Sequence, residues 1–374
     1  MTAESEPKGK RRTRSQLWYL LPIFLHVVGG LIVYFKLKNS DNSIIAWNAL
    51  LLGIILSGLT TAIVLYVYLD YQSYMLAANE RIANGSQVAN TASGPIQYAD
   101  FGHGYPVLVV HGAGGGYDQG VIISRVFLNE NDFHVIAPSR FGFLHTPVPG
   151  GDNKNSSFAV QADVYAELLD KLNIKKVAVL GFSAGGPSSL EFALRHPDRT
   201  SVLVLISPVV HQEPPMGFMD KIMHYGIFKS DFVFWFIAKY FEPNLISFFG
   251  VSPEVQAKLS PEEKSWLSDV LIPSMFPISQ RQPGMANDRI NFSLIDYHLE
   301  QINVPTLVIH AKDDTLVNPS HSEYAAQRIP NVMHVEFDAG GHLLVGHKQD
   351  VKSAIMDFLT EHNVTETAAT EATQ

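Results

Sequence analysis

The chain has 374 residues, 46% of them apolar and only 17% charged, with no cysteine and a formal net charge of −9. That length is ample for a large core, and the charged fraction falls below the roughly 25% usual for soluble domains. Without cysteine there is no disulfide framework, no Cys-ligated zinc or iron–sulfur cluster and no thiol nucleophile, and the acidic balance argues against a nucleic-acid-binding surface.

The charge is unevenly placed. Residues 1–40 hold seven Lys/Arg against two Glu, a local +5 that leaves −14 for the remainder. Residues 1–16 form a basic N-terminus, followed over 17–69 by two uncharged runs, Leu17 to Phe35 and Ile44 to Leu69. A membrane span needs about 20 apolar residues, so both qualify. Trp18, Tyr19, Tyr34, Trp47, Tyr66 and Tyr68 lie near their ends, where amphipathic rings favour the headgroup region. Pro22 and the Gly29–Gly30 pair are candidate kinks in the first run. Lys8, Lys10, Arg11, Arg12 and Arg14 outweigh Lys36 and Lys38 in the connection, so the positive-inside rule puts the N-terminus, and after two spans the rest of the chain, in the cytoplasm.

A polar connector (70–91) follows, helical over Asp70 to Ala83. Beyond it, short β-branched runs alternate with helical patterns. The strands are Ile96–Tyr98, Val107–Val110, His134–Ala137, Val177–Leu180, Val202–Ile206, Leu307–Ile309 and His334–Phe337; the helices are Phe158–Leu172, Ser188–Arg195, Ser322–Arg328 and Val351–Leu359. Such alternation predicts an α/β fold, a mostly parallel central sheet flanked by helices. Residues 209–293 lack strand signals and read as an inserted helical cap, so the core comprises 92–208 and 294–362. The polar tail 363–374 is low in complexity.

The chemistry concentrates at strand ends. Gly181-Phe182-Ser183-Ala184-Gly185 fits G-x-S-x-G directly after a strand and before a helix, the context of a nucleophile elbow. A serine needs a base, and the base an orienting acid, in the chain order Ser, acid, His. His310 to Val317 places Asp313 and Asp314 just past a strand, with Asp314 preferred over Asp313 as the acid. Asp338 to His342 places an imidazole past the final strand, and His342 is preferred over His347 as the base; His111 and His310 suit loop-holding roles instead. Oxyanion donors are expected from the backbone N–H of Ala184 and from the glycine loop His111 to Gly116. The G-x-G-x-x-G spacing fails at Tyr117, so that loop does not read as a dinucleotide cradle. No cofactor, metal or nucleic-acid partner is expected.

With these residues assembled, residues 92–362 resemble the α/β-hydrolase family: HGAGGG (His111–Gly116), GFSAGG (Gly181–Gly186), HAKDDTLVNP (His310–Pro319), AGGHLL (Ala339–Leu344) and APSRFGFLHTPVP (Ala137–Pro149) match its motifs. The resemblance implies Ser183 as nucleophile, Asp314 as acid, His342 as base, N–H groups of Ala113 and Ala184 at the oxyanion, and a helical cap after the sixth strand. Ala311 departs from it, standing where a Gly is usual. The implied activity is hydrolysis of a carboxylic ester, esterase- or lipase-like. Phe232, Trp235 and Phe236 in the cap are candidate contacts for a small or lipid-like substrate. Carbon–carbon bond hydrolysis, acyl transfer, perhydrolysis of the haloperoxidase type and non-catalytic ligand binding are the alternatives the same fold allows.

Overall fold

The structure is a computed structural model that describes residues 17–129, 132–150 and 155–364. The basic segment 1–16 and the tail beyond residue 364 lie outside the described residues. The chain divides into two compact units, one ending at Tyr74 and one starting at Met75.

The first unit holds a helix over Leu20–Leu37 and the helix Ser43–Ala83 as far as Tyr74, and both helices are long and apolar enough to cross a membrane. The first is not a straight rod. It breaks at His26 (φ 50°, ψ −131°), neither at Pro22 nor at the glycine pair. The glycines instead permit close packing: a Cβ on Gly29 would lie 2.1 Å from the Leu21 carbonyl oxygen, and one on Gly30 would lie 2.7 Å from that of Ala49. The Val27 N–H, left without a helical carbonyl by the break, donates to Ser57 Oγ at 3.1 Å. On the second helix Leu51, Ile54, Ile55, Leu59, Ile63 and Leu65 are all exposed, an apolar surface suited to lipid.

That second helix continues unbroken through the expected connector. No glycine or proline occurs between Gly58 and Gly85, and Gly85 (φ 89°) ends it in the left-handed conformation typical of helix C-termini. Gln87–Thr91 then forms a strand, β1, that sequence periodicity missed because QVANT carries little apolar alternation. It pairs antiparallel with β2 (Gly94–Gly102) across a tight turn.

The remaining strands are β3 (Tyr105–Val110), β4 (Phe133–Pro138), β5 (Val177–Phe182), β6 (Thr200–Ile206), β7 (Thr306–Ala311) and β8 (Val332–Phe337). They form one eight-stranded sheet in the order β1-β2-β4-β3-β5-β6-β7-β8, parallel from β4 through β8. Period-two alternation fills both faces. Leu108, Val110, Val179 and Leu205 face the helices Phe158–Lys171 and Gly186–Arg195, whereas Val107, Val109, Leu180 and Val204 face Tyr117–Phe127 and Lys348–Glu361. Strand order reverses at β3, and the loops leaving β3, β5, β7 and β8 gather at the carboxyl edge beside that switch point, where open α/β sheets bind ligands.

Between β6 and β7 the chain is helical. Its pieces are short because serine and proline restart them: Ser252 and Ser260 cap helices whose first residues are Pro253 and Pro261, and Ser260 with Glu263 completes a capping box.

Candidate active site

β5 delivers Ser183 into the site at φ 53°, a left-handed conformation costing a non-glycine residue about 1–3 kcal/mol. The neighbours are small because nothing larger fits. A Cβ on Gly181 would lie 2.4 Å from Ser189 Oγ, and one on Gly185 would lie 2.5 Å from the Val110 carbonyl oxygen. Behind the turn, the Val209 N–H donates to the Ser183 carbonyl at 3.0 Å.

The Ser183 hydroxyl donates to His342 Nε2 at 2.8 Å, and His342 Nδ1–H donates to Asp314 Oδ2 at 2.7 Å. All three residues are buried. Asp314 accepts three further bonds: His310 Nε2–H at the same oxygen (2.8 Å), and the Leu316 and Val317 N–H groups at Oδ1 (2.8 and 3.0 Å). Burial opposes its ionisation, but the electrostatic attraction of the facing His342 and the donated hydrogen bonds outweigh it and hold the carboxyl well below the usual range. Asp313 takes a different position. Its two oxygens accept the N–H groups of Gly340 and Gly341 (3.2 and 2.8 Å), which fastens the loop carrying His342.

The glycine loop after β3 lies against the serine: a Cβ on Gly112 would sit 3.1 Å from that of Ser183. Its Gly112 N–H is already given to Gln119 Oε1. Among the described residues no backbone hydrogen bond outside the helices and strands takes the N–H of Ala113 or Ala184. His111 holds the loop as its position suggested, donating Nδ1–H to the Gly112 carbonyl and accepting the Arg140 N–H at Nε2. Burial, reinforced by the Arg140 charge, pushes this imidazole well below its ordinary pKa and keeps it neutral.

Two residues of the site escaped the sequence. Arg140, fully enclosed, gives Nε–H to the His111 carbonyl and forms a bidentate pair with Asp288 in the helix Gln282–Phe292 (2.6 and 2.8 Å). Gly250 reaches His342 and Asp314 from the inserted segment. Its carbonyl accepts the His342 N–H at 3.3 Å, and a Cβ there would lie 2.8 Å from that of His342. The sequence signal for it is a glycine within the helical insertion, which in the structure takes φ 79° after the helix Glu242–Phe248. Trp235 is buried within the insertion, while Phe232 and Phe236 lie on the outward face of the helix Asp231–Tyr240.

A serine at a strained strand–helix turn, hydrogen-bonded through histidine to aspartate at the carboxyl edge of a mostly parallel sheet, defines a hydrolase-type α/β fold. A family model described as the alpha/beta hydrolase fold matches residues 105–348, and the chain belongs to that family. It is 27% identical over 277 residues to the uncharacterized hydrolase YcgS of Bacillus subtilis, covering 71% of this chain and 95% of that protein. It is 26% identical to 2-hydroxymuconate semialdehyde hydrolase of Pseudomonas putida, covering 70% and 89% respectively. Among solved structures, an alpha/beta hydrolase fold protein from Nakamurella multipartita is 29% identical, with a TM-score of 0.62 over 73% of this chain and 98% of that one. The chain is thus a hydrolase of the α/β-hydrolase superfamily.

Proposed function

We propose that this hydrolase is membrane-anchored and cleaves a carboxylic ester through Ser183, His342 and Asp314. The observation that carries the reading is the unbroken hydrogen-bond relay from Ser183 Oγ through His342 to Asp314. As the Ser183 oxygen attacks the ester carbonyl, its proton passes to His342 Nε2, and Asp314 stabilises the resulting imidazolium. The Ala113 and Ala184 N–H groups receive the oxyanion. The imidazolium then protonates the leaving alkoxide, an acyl-Ser183 forms, and water deprotonated by His342 releases the acid and restores the serine. The two apolar helices anchor the enzyme, with its catalytic domain cytoplasmic, and a lipid-like ester is the substrate such an anchor suits.

Carbon–carbon bond hydrolysis is the second reading, favoured by the similarity to 2-hydroxymuconate semialdehyde hydrolase along 89% of that protein. Labelling the full chain and its Ser183→Ala variant with a fluorophosphonate tests the nucleophile; equal labelling refutes it. Turnover of an ester series of rising chain length, with and without vesicles, against a 2-hydroxy-6-oxo-dienoate then separates the reactions. Turnover of the dienoate alone replaces the ester reading, and a preference for short soluble esters indifferent to vesicles removes the lipid-like substrate.

A further inference from the structure

The glycine loop His111–Gly116 has almost no side chains with which to fix its own shape. Apart from the hold of the His111 ring on the Gly112 carbonyl, its glycines are contacted from outside: a Cβ on Gly114 would lie 2.5 Å from Met275 Cε, and one on Gly116 would lie 3.0 Å from Arg281 Nη1. The loop runs straight into Tyr117 and Asp118, both buried. Asp118 forms a bidentate pair with the fully enclosed Arg281 (2.9 and 2.7 Å) and lies 3.6 Å from Arg81. Arg81 Nη2 donates to the Phe276 carbonyl at 2.7 Å, and Arg281 donates to the same oxygen at 3.1 Å.

The C-terminus of a helix leaves its last carbonyls without partners and carries partial negative charge. At the end of Ser43–Ala83 the Tyr117 hydroxyl meets the carbonyls of Ile82 (3.1 Å) and Asn84 (3.0 Å). One phenol thus closes the long helix and begins the segment that follows the glycine loop. The family match starts at residue 105, so Arg81 to Asn84 lie outside it, while Tyr117, Asp118 and Arg281 lie inside.

We propose that the end of the long helix, Arg81 to Asn84, is a positioning element for turnover, holding through Tyr117 and Asp118 the loop that presents the Ala113 N–H to the oxyanion. This rests on the reading of Ala113 as an oxyanion donor. Neither Tyr117 nor Arg81 touches substrate; they act through the loop. Losing an oxyanion donor costs about 10²–10³ in rate, and a displaced donor costs less.

The test uses the full chain and two variants, Tyr117→Phe and Arg81→Gln, with an ester and its thionoester of the same acid. Sulfur accepts hydrogen bonds poorly, so the thionoester gains little from the loop donor. Ester kcat is expected to fall about tenfold or more with KM nearly unchanged, while thionoester turnover holds. Equal losses on both substrates would show a general structural effect and overturn the proposal, as would parental ester kinetics. Should Tyr117→Phe fail to fold, Arg81→Gln decides, since Arg81 is about one-third exposed. Fluorophosphonate labelling separates the two readings: labelling abolished by Ser183→Ala together with parental ester kinetics in both variants sinks only the positioning role. Equal labelling of parent and Ser183→Ala sinks the serine mechanism and this proposal with it.

Discussion

Replacing Asp314 by asparagine distinguishes the two adjacent carboxylates. Every group facing the Asp314 carboxylate is a donor: the Leu316 and Val317 N–H at Oδ1, and His342 Nδ1 and His310 Nε2 at Oδ2. Asparagine offers one acceptor oxygen and one NH2, so one side must change. Turned to the backbone, the NH2 leaves the Leu316 and Val317 N–H groups without acceptors, the buried Val317 one at about 1–3 kcal/mol, and a backbone amide cannot relocate its proton. Turned to the imidazoles, it lets His342 respond by moving its proton to Nε2. The second arrangement costs less and prevails, and His342 then presents N–H to Ser183 instead of a lone pair. A wrong-tautomer histidine lowers kcat by about 10⁴, or about 5.4 kcal/mol at 1.36 kcal/mol per decade. Asp313 accepts one N–H at each oxygen, and Asp313→Asn keeps one of the two. That loss is about 1 kcal/mol, roughly a fivefold effect. Initial ester-hydrolysis rates on both variants, with thermal melts to establish folding, measure the contrast. If folded Asp313→Asn loses more than Asp314→Asn, the assignment of the acid is wrong.

Gly250→Ala places a methyl 2.8 Å from His342 Cβ and 3.1 Å from Asp314 Oδ1 at a left-handed φ, so turnover should fall at least about tenfold while Gly58→Ala, with nothing within 4 Å, leaves it unchanged. Asp288→Asn strips the counter-charge from buried Arg140 and should destabilise the fold by about 3–5 kcal/mol, read from urea unfolding of the full chain. Acidification should also destabilise it. His111 and His321 both titrate below their ordinary value when folded, chiefly through burial, so the unfolded chain takes up their protons first. Their contribution is complete above about pH 6.5 and is lost as pH falls toward their folded values. Asp314, depressed when folded, adds stability that is complete above about pH 4 and lost only on stronger acidification. Melting temperatures across pH 8 to 4 should decline from about pH 6.5 downward, and a flat profile would contradict the neutral burial of both histidines.

The central parallel strands were legible because burial on both faces demands unbroken apolar runs, and Ser183 and Asp314 were legible because each follows such a run; His342 follows the half-exposed edge strand β8 and was legible from its place after two glycines. β1 was not: an edge strand exposed at Gln87, Val88 and Asn90, with none of its residues buried, needs no apolar signature and is defined by its partner β2. The break at His26 was also hidden. Pro22 and Gly29–Gly30 advertise kinks, yet where a helix yields depends on what can receive its freed N–H, and Ser57 lies thirty residues away. Asp313 and Asp314 are chemically identical neighbours, so only the direction of each carboxylate separates the group facing His342 from the one fastening its loop.

Gly250 and Asp288 make the inserted helices part of the site's frame. The insertion supplies the carbonyl that holds the His342 N–H and the carboxylate that neutralises Arg140, whose other donors fix the His111 carbonyl of the glycine loop. A core lacking the insertion would retain Ser183 on its strand, since Gly181, Gly185 and Ser189 all belong to the core. It would also leave the Arg140 guanidinium, now 2% exposed, with no partner charge. Ser183 is therefore set by local backbone geometry, while His342 and the glycine loop are set by contacts made far along the chain.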